Sequence, residues 1–260
     1  VSRSDEVIEL FRRAAADREH GAAAIEEALI RGLLDHRAGL RAEAIREGAR
    51  VLEAEQPAMA NLRSLAAHAD GAASVADFVT WLARRAQTLE QLPERLANSA
   101  WPRIESSDRV VTVSRSTAVA AVLEGAWARG WSGQAVVLDG TAAGRGQDQA
   151  RHLVASGRAV SQPDAAAPSW LEGEAVVVVV GADAVGRRRF VNCTGTRSLL
   201  ELARERRVEA VLVADSGKDV DDEVVDEIVR LSPRHRESPH REWPIFEAVP
   251  LHLVTTRIAE

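Results

Sequence analysis

The chain is poor in cysteine, in lysine and in long apolar runs. Its one cysteine, Cys193, excludes an internal disulfide and fits a reducing cytoplasm. No apolar run approaches the roughly 20 residues a membrane helix needs. The opening VSRSDEVIEL has no apolar signal core, so neither membrane contact nor export is expected. The seven histidines are scattered, with none at metal-ligand spacing to a cysteine, so no metal site is expected. The dinucleotide signature G-x-G-x-x-G and the triphosphate signature G-x-x-x-x-G-K-S/T are both missing, and no cofactor is expected. A basic face is missing as well: the formal net charge is −6, which argues against a nucleic-acid-binding surface. Lys218 is the only lysine; the remaining basic charge is arginine, as a GC-rich genome or a preference for arginine in ion pairs would give.

What is present is ordinary for a globular protein: 46% apolar and 28% charged residues over 260 positions, enough for two domains. The two parts differ in pattern. Residues 1–103 read as an all-helical domain. Ser4-Asp5 can cap a first helix carrying Val7, Ile8, Leu10 and Phe11, and Gly21 precedes a second with Ile25, Leu29 and Leu33. A third covers Leu40–Ala54, Pro57 can open a fourth, and Ser74 caps a long fifth that Pro93 interrupts or ends. Residues 104–260 alternate β-branched runs with helical stretches. Strands are expected at Arg109–Val113, Gln134–Leu138, Ala175–Gly181 and Ala210–Ala214, with a short one at Arg158–Val160. Helices are expected at about Ser116–Arg129, Gly144–Ser156 and Gly195–Arg206, with a short one ending near Trp170. This alternation implies right-handed crossovers and a mainly parallel, Rossmann-like sheet, hence an α/β fold after a helical domain. Ser232–Trp243 reads as a polar surface loop, and Phe246–Glu260 as a final strand or hairpin.

The run Val176–Val180 suits a strand buried on both faces, and it delivers Asp183 to the carboxyl edge, where open α/β sheets bind ligands. Other strand ends converge there. Ser114-Arg115-Ser116-Thr117 can hold an anion on free backbone N–H groups or can simply cap a helix through Ser116. Asp139-Gly140-Thr141 leads into a small-residue loop ending at Arg145. Asn192 and Thr194-Gly195-Thr196 open a helix and form a second possible phosphate cradle. Asp215-Ser216-Gly217-Lys218 brings the sole lysine to the same edge, as an ion pair or as an anion ligand.

These residues resemble the family of the alpha, beta and delta regulatory subunits of eukaryotic translation initiation factor 2B. Its enzyme relatives are methylthioribose-1-phosphate isomerase and ribose-1,5-bisphosphate isomerase. The resemblance rests on Gly181-Ala182-Asp183 followed by Asn192-Cys193-Thr194-Gly195-Thr196, which is similar to GAD and NKxGT. It rests also on Phe246-Glu247-Ala248-Val249-Pro250 with Thr255–Glu260, and on Gly21–Ile25 and Gln56–Leu62, which look like two ligand-contacting helix starts. The resemblance implies a helical domain, a Rossmann-like domain that forms homodimers, and a sugar-phosphate or nucleotide pocket between the two. In the isomerases the GAD aspartate, here Asp183, works with a cysteine, where this chain has Ser114. A serine hydroxyl is a far weaker acid than a thiol. Cys193 occupies a family lysine position, and family basic positions map to Thr141, Gln56 and His20. Lys218 matches a family lysine; Arg115 and Arg145 are candidate replacements for the missing cations.

Two functions follow from the resemblance. One is a non-isomerase relative, cytoplasmic, that binds a phosphorylated metabolite or a protein partner. The other is an aldose–ketose isomerase acting on a phosphosugar with Asp183 as acid or base. A purely structural dimerisation module is a third reading. The candidate catalytic residues are Asp183 and Ser114. The candidate ligand-binding residues are Gly21, Arg115, Ser116, Arg145, Asn192, Gly195, Thr196 and Lys218.

Overall fold

The amino-terminal sequence folds as helices because its apolar residues recur every three or four positions. The computed structural model describes residues 3–17, 21–140, 145–232, 234–238 and 241–259. The chain forms two compact units, Val1–Gln91 and Leu92–Glu260. In the first, α1 (Arg3–Ala16), α2 (Ala22–Asp35), α3 (Ala42–Glu55), α4 (Ala60–Gly71) and the start of α5 (Val75–Ile104) enclose Phe11, Leu29, Leu33, Leu52, Leu62 and Phe78. No strand occurs among the described residues 3–91. Gly48 lets α1 and α3 touch, since a Cβ there would lie 2.2 Å from the Phe11 ring. Ser74 caps α5 by accepting the Asp77 N–H at 3.1 Å. Ser4 and Asp5 lie in the first turn of α1 rather than ahead of it, and α4 begins at Ala60 rather than at Pro57. Inside this unit a buried ion pair joins Arg85 to Glu26 at 2.7 Å, and Asn61 Nδ2 donates to the same carboxylate at 2.8 Å.

Pro93 does not end α5, which runs on through Pro93 and Pro102 to Ile104. A proline inside a helix costs about 3 kcal/mol. Beyond it, Leu96, Ala100 and Ile104 recur on one face and are fully buried. A buried leucine or isoleucine returns about 1.5–3 kcal/mol, so packing carries the helix past the break. The division between the units falls within this helix.

In the second unit, β1 (Arg109–Val113), β2 (Gln134–Leu138), β3 (Arg158–Gln162), β4 (Val176–Val180), β7 (Glu209–Val213) and β11 (Thr256–Ile258) form one parallel sheet in the order β11-β7-β4-β1-β2-β3. The crossovers carry α6 (Thr117–Ala128), α7 (Arg145–Val154), the short α8 (Ala167–Trp170), α9 (Thr196–Glu205) and α10 (Asp222–Leu231). The valine run of β4 is explained by two cores. Val176, Val178 and Val180 enter the one that contains Leu199 and Leu200 of α9. Val177 and Val179 enter the other, with Val119 and Leu123 of α6.

A second sheet, missed by the sequence reading, has β5 (Ala184–Val185) and β6 (Arg189–Cys193) as a hairpin, with β10 (Phe246–Pro250) antiparallel to β6. The tail supplies the expected final strand, β11 at the edge of the parallel sheet, and not a hairpin. Its strands β10 and β11 join different sheets, separated by a turn at Leu251–Leu253. The expected loop at Ser232–Trp243 instead contains a ribbon of β8 (Arg234–Ser238) and β9 (Arg241–Pro244), in which the rings of His235 and Trp243 lie 4.9 Å apart.

Candidate functional site

Strand order locates the site. The chain runs β1, β2, β3 to one side and then returns to place β4 on the other side of β1. The crevice outside the carboxyl ends of β1 and β4 is thus a topological switch point, where open α/β sheets bind ligands. Ser114 follows β1 and Gly181–Asp183 follow β4. The two turns touch: a Cβ on Gly181 would lie 2.3 Å from Ser116 Oγ, so glycine is needed for this approach. Ser114 itself is buried and has a φ of 59°, a left-handed conformation that costs a serine about 1 kcal/mol or more.

Asp183 is the electrostatic centre of this crevice. Its N–H donates to Val191 O at 2.8 Å, which starts the β5–β6 hairpin. Burial raises the pKa of its carboxyl, while the charges of Lys218 and then Arg145 pull it down. Lys218 is held in place by donating from Nζ to Ala182 O at 2.6 Å. Cys193 lies beside them. Burial pushes its thiol up to about 12, hydrogen bonds with Thr196 and Ser114 act the other way, and the Asp183 charge pushes it further up. The thiol is therefore protonated at any physiological pH. The structure brings together Asp183, Lys218, Arg145, Ser114 and Cys193, residues drawn from five different turns or strand ends.

The Asn192–Thr196 turn spends its polar groups on itself. Asn192 Nδ2 donates to Thr196 Oγ1 at 3.0 Å, and Thr196 Oγ1 donates to Cys193 O at 2.7 Å. Gly195 is the N-cap of α9, with a φ of 106° that glycine tolerates. Its N–H and that of Arg197 both donate to Glu247 Oε1, at 2.8 and 3.0 Å. The carboxylate on this helix start is Glu247 of β10, not Asp183.

Of the remaining candidates, Arg115 and Ser116 lie on the turn after β1, and Gly21 lies in the other unit. Ser116 caps α6, accepting the Val119 N–H at 3.3 Å, and its carbonyl accepts from Gln149 at 3.1 Å. Arg115 is exposed and Arg145 opens α7, also exposed. Among the described residues neither has a carboxylate partner within ion-pair distance. Gly21 belongs to the first unit, as N-cap of α2 with no side-chain cap. Gln56 is buried there and donates to the carbonyls of Ala15 at 3.0 Å and Asp17 at 2.7 Å, closing the end of α1. His20 and Thr141 lie outside the described residues.

Two residues escaped the sequence reading, Glu247 and Asp164. Asp164 follows β3, and its Oδ1 accepts the Gly140 N–H at 2.9 Å. A signal for it exists: β2, β3, β4 and β7 each run into an aspartate within a few residues, at 139, 164, 183 and 215.

The family model described as the initiation factor 2 subunit family matches residues 11–260. No curated protein matches in sequence. Among solved structures, the fold is similar to the Pyrococcus horikoshii OT3 translation initiation factor eIF-2B, with a TM-score of 0.82 at 20% identity, covering 97% of this chain and 94% of that one. It is also similar to a chain of the tetrameric eIF2B-beta2-delta2 complex from C. thermophilum (TM-score 0.76, 15% identity, 97% and 90% covered). The delta subunit of translation initiation factor eIF-2B from A. fulgidus matches with a TM-score of 0.67 at 18% identity, covering 97% and 86%.

Proposed function

The chain belongs to the initiation factor 2 subunit family, and on that footing we propose that its second unit binds a phosphorylated metabolite at the carboxyl edge of the parallel sheet without isomerising it. The observation that carries this reading is the cationic pair, Lys218 and Arg145, acting on one half-buried carboxyl at the switch point. Two positive charges at this edge, Lys218 held by the Ala182 carbonyl and Arg145 exposed, suit a phosphate monoester. Arg115, exposed on the neighbouring turn, adds a third charge.

Aldose–ketose isomerisation asks for two groups that exchange protons near neutral pH. Asp183, raised by burial, qualifies as one. The neighbouring Cys193 thiol at about 12 does not, and the Ser114 hydroxyl is a weaker acid still. Asp183 alone favours the second reading, isomerase activity on a phosphosugar.

Thermal denaturation against ribose 5-phosphate, ribose 1,5-bisphosphate, methylthioribose 1-phosphate and AMP tests binding. A ligand at one hundred times its Kd stabilises by about 2.7 kcal/mol. NMR of the same mixtures tests turnover, and none is expected. Conversion that disappears in Asp183→Asn would replace the binding reading with the isomerase one. No thermal shift with any ligand would leave only a structural module. The protein forms a homodimer through its second unit; support comes from the oligomeric neighbour, and light scattering that finds a monomer at micromolar concentration would refute it.

A further inference from the structure

Among the described residues at this edge, Asp164 is a carboxyl bonded through one oxygen only, with no cation among the groups that act on it. Its Oδ1 accepts from Gly140. Oδ2 faces the α9 turn: a Cβ on Gly195 would stand 3.4 Å from it, and Gly195 has none. One oxygen of the neighbouring Asp139 accepts from Ser161 Oγ at 2.7 Å. Burial raises the Asp164 pKa, the Gly140 bond lowers it and Asp139 raises it again, with no cation among the causes. Asp164 is thus half-buried, and among the described residues no cation stands against its charge.

Its position suggests a use. Gly140 connects it to the switch point, since a Cβ on Gly140 would lie 2.9 Å from Ser114 Cβ. Ser114 in turn shares a hydrogen bond with Cys193, which feels the charge of Asp183. The edge is thus polarised. Cations act on Asp183, whereas the carboxyl held at the Gly140 turn beside Ser114 has none acting on it and would repel a second phosphate. We propose that Asp164 is the residue that reads the hydroxyl end of the ligand, accepting a hydrogen bond at Oδ2 from a hydroxyl of a phosphate monoester whose phosphate lies at Lys218 and Arg145. This rests on the binding reading above and adds a specificity residue to it. The competing role is a purely structural one, in which Asp164 only fixes the Gly140 turn.

Titration calorimetry of the full chain with ribose 5-phosphate and with n-butyl phosphate, which lacks hydroxyls, separates these. The wild type should bind ribose 5-phosphate at least about tenfold more tightly, the value of a hydrogen bond to a charged group. Asp164→Asn keeps an acceptor for Gly140 and removes the anionic oxygen. It should lose that preference while binding n-butyl phosphate as before. Equal affinities in the wild type, or a preference that survives in Asp164→Asn, overturn the proposal but leave the binding reading standing. A parallel loss for both ligands assigns Asp164 to structure and also overturns it. Failure of the wild type to bind either ligand overturns both readings together. If the variant does not fold, the carboxyl carbon-13 resonance of Asp164 in the wild type decides: it should move with ribose 5-phosphate and stay put with n-butyl phosphate, and the absence of a differential shift refutes the assignment.

Discussion

Replacing Glu247 should cost more than its half-exposed position on a short strand implies. The N-terminus of α9 has no side-chain cap of its own, because Gly195 occupies that place. One carboxylate oxygen of Glu247 takes two of the free N–H groups, at 2.8 and 3.0 Å. Loss of an N-cap acceptor costs about 0.5–2 kcal/mol. A charge at a helix start adds about 0.3–1 kcal/mol where solvent screens it. Glu247→Ala should therefore lower the unfolding free energy by about 2 kcal/mol, and Glu247→Gln, which keeps an acceptor without the charge, by about 1 kcal/mol. Urea titrations with unchanged m-values measure both. The vacated helix start then becomes an anion site. Inorganic phosphate should stabilise Glu247→Ala more than the wild type at matched ionic strength. A loss below about 0.5 kcal/mol, or phosphate stabilisation equal in the two proteins, would show that Glu247 does not hold this helix start.

Asp183→Asn should be more stable than the wild type near neutral pH. Burial raises the Asp183 pKa above 3.8, so the stability tied to its proton is present below that value and is lost as pH rises through the higher folded value; melts that show no narrowing of the gap toward acid pH would contradict this. Cys193 is 4% exposed and its thiol titrates at about 12, so Ellman's reagent should leave the native protein unmodified at mildly alkaline pH and titrate one thiol after denaturation. Arg85→Met should cost about 3–5 kcal/mol by leaving Glu26 charged and buried, whereas Arg85→Met with Glu26→Gln should recover part of that loss. The side chains of the pair are only 10% and 2% exposed, which removes most solvent screening. Additive losses in a double-mutant cycle would disprove the coupling.

The parallel sheet was legible in the sequence because its strands are buried on both faces and read as unbroken β-branched runs, Val176–Val180 most clearly. The small sheet was not. Ala184–Val185 is too short to announce itself, and Arg189–Cys193 mixes charged and apolar residues because its pairing with Phe246–Pro250 is settled far along the chain. The ribbon within Ser232–Trp243 was hidden for a related reason: its polar composition matches a loop, and only the cross-strand partners reveal the pairing. The nearness of Asp183 and Lys218 was legible because each follows a strong strand. Glu247 could not be found, since its partners Gly195 and Arg197 lie about fifty residues away in sequence. Gln56, at a position of family basic charge, closes a helix end, which no local pattern discloses.

The pairing of β7 with β11 has a kinetic consequence. β7 has β4 on one side as soon as Glu209–Val213 is made, but its other neighbour is Thr256–Ile258, beyond α10, the whole ribbon and β10. During synthesis or refolding, that flank of hydrogen-bonding groups stays open while the intervening chain sorts itself out. The interval is when a newly made molecule is most vulnerable to sticking to its siblings, so yield on refolding should depend more steeply on protein concentration than native stability alone would imply.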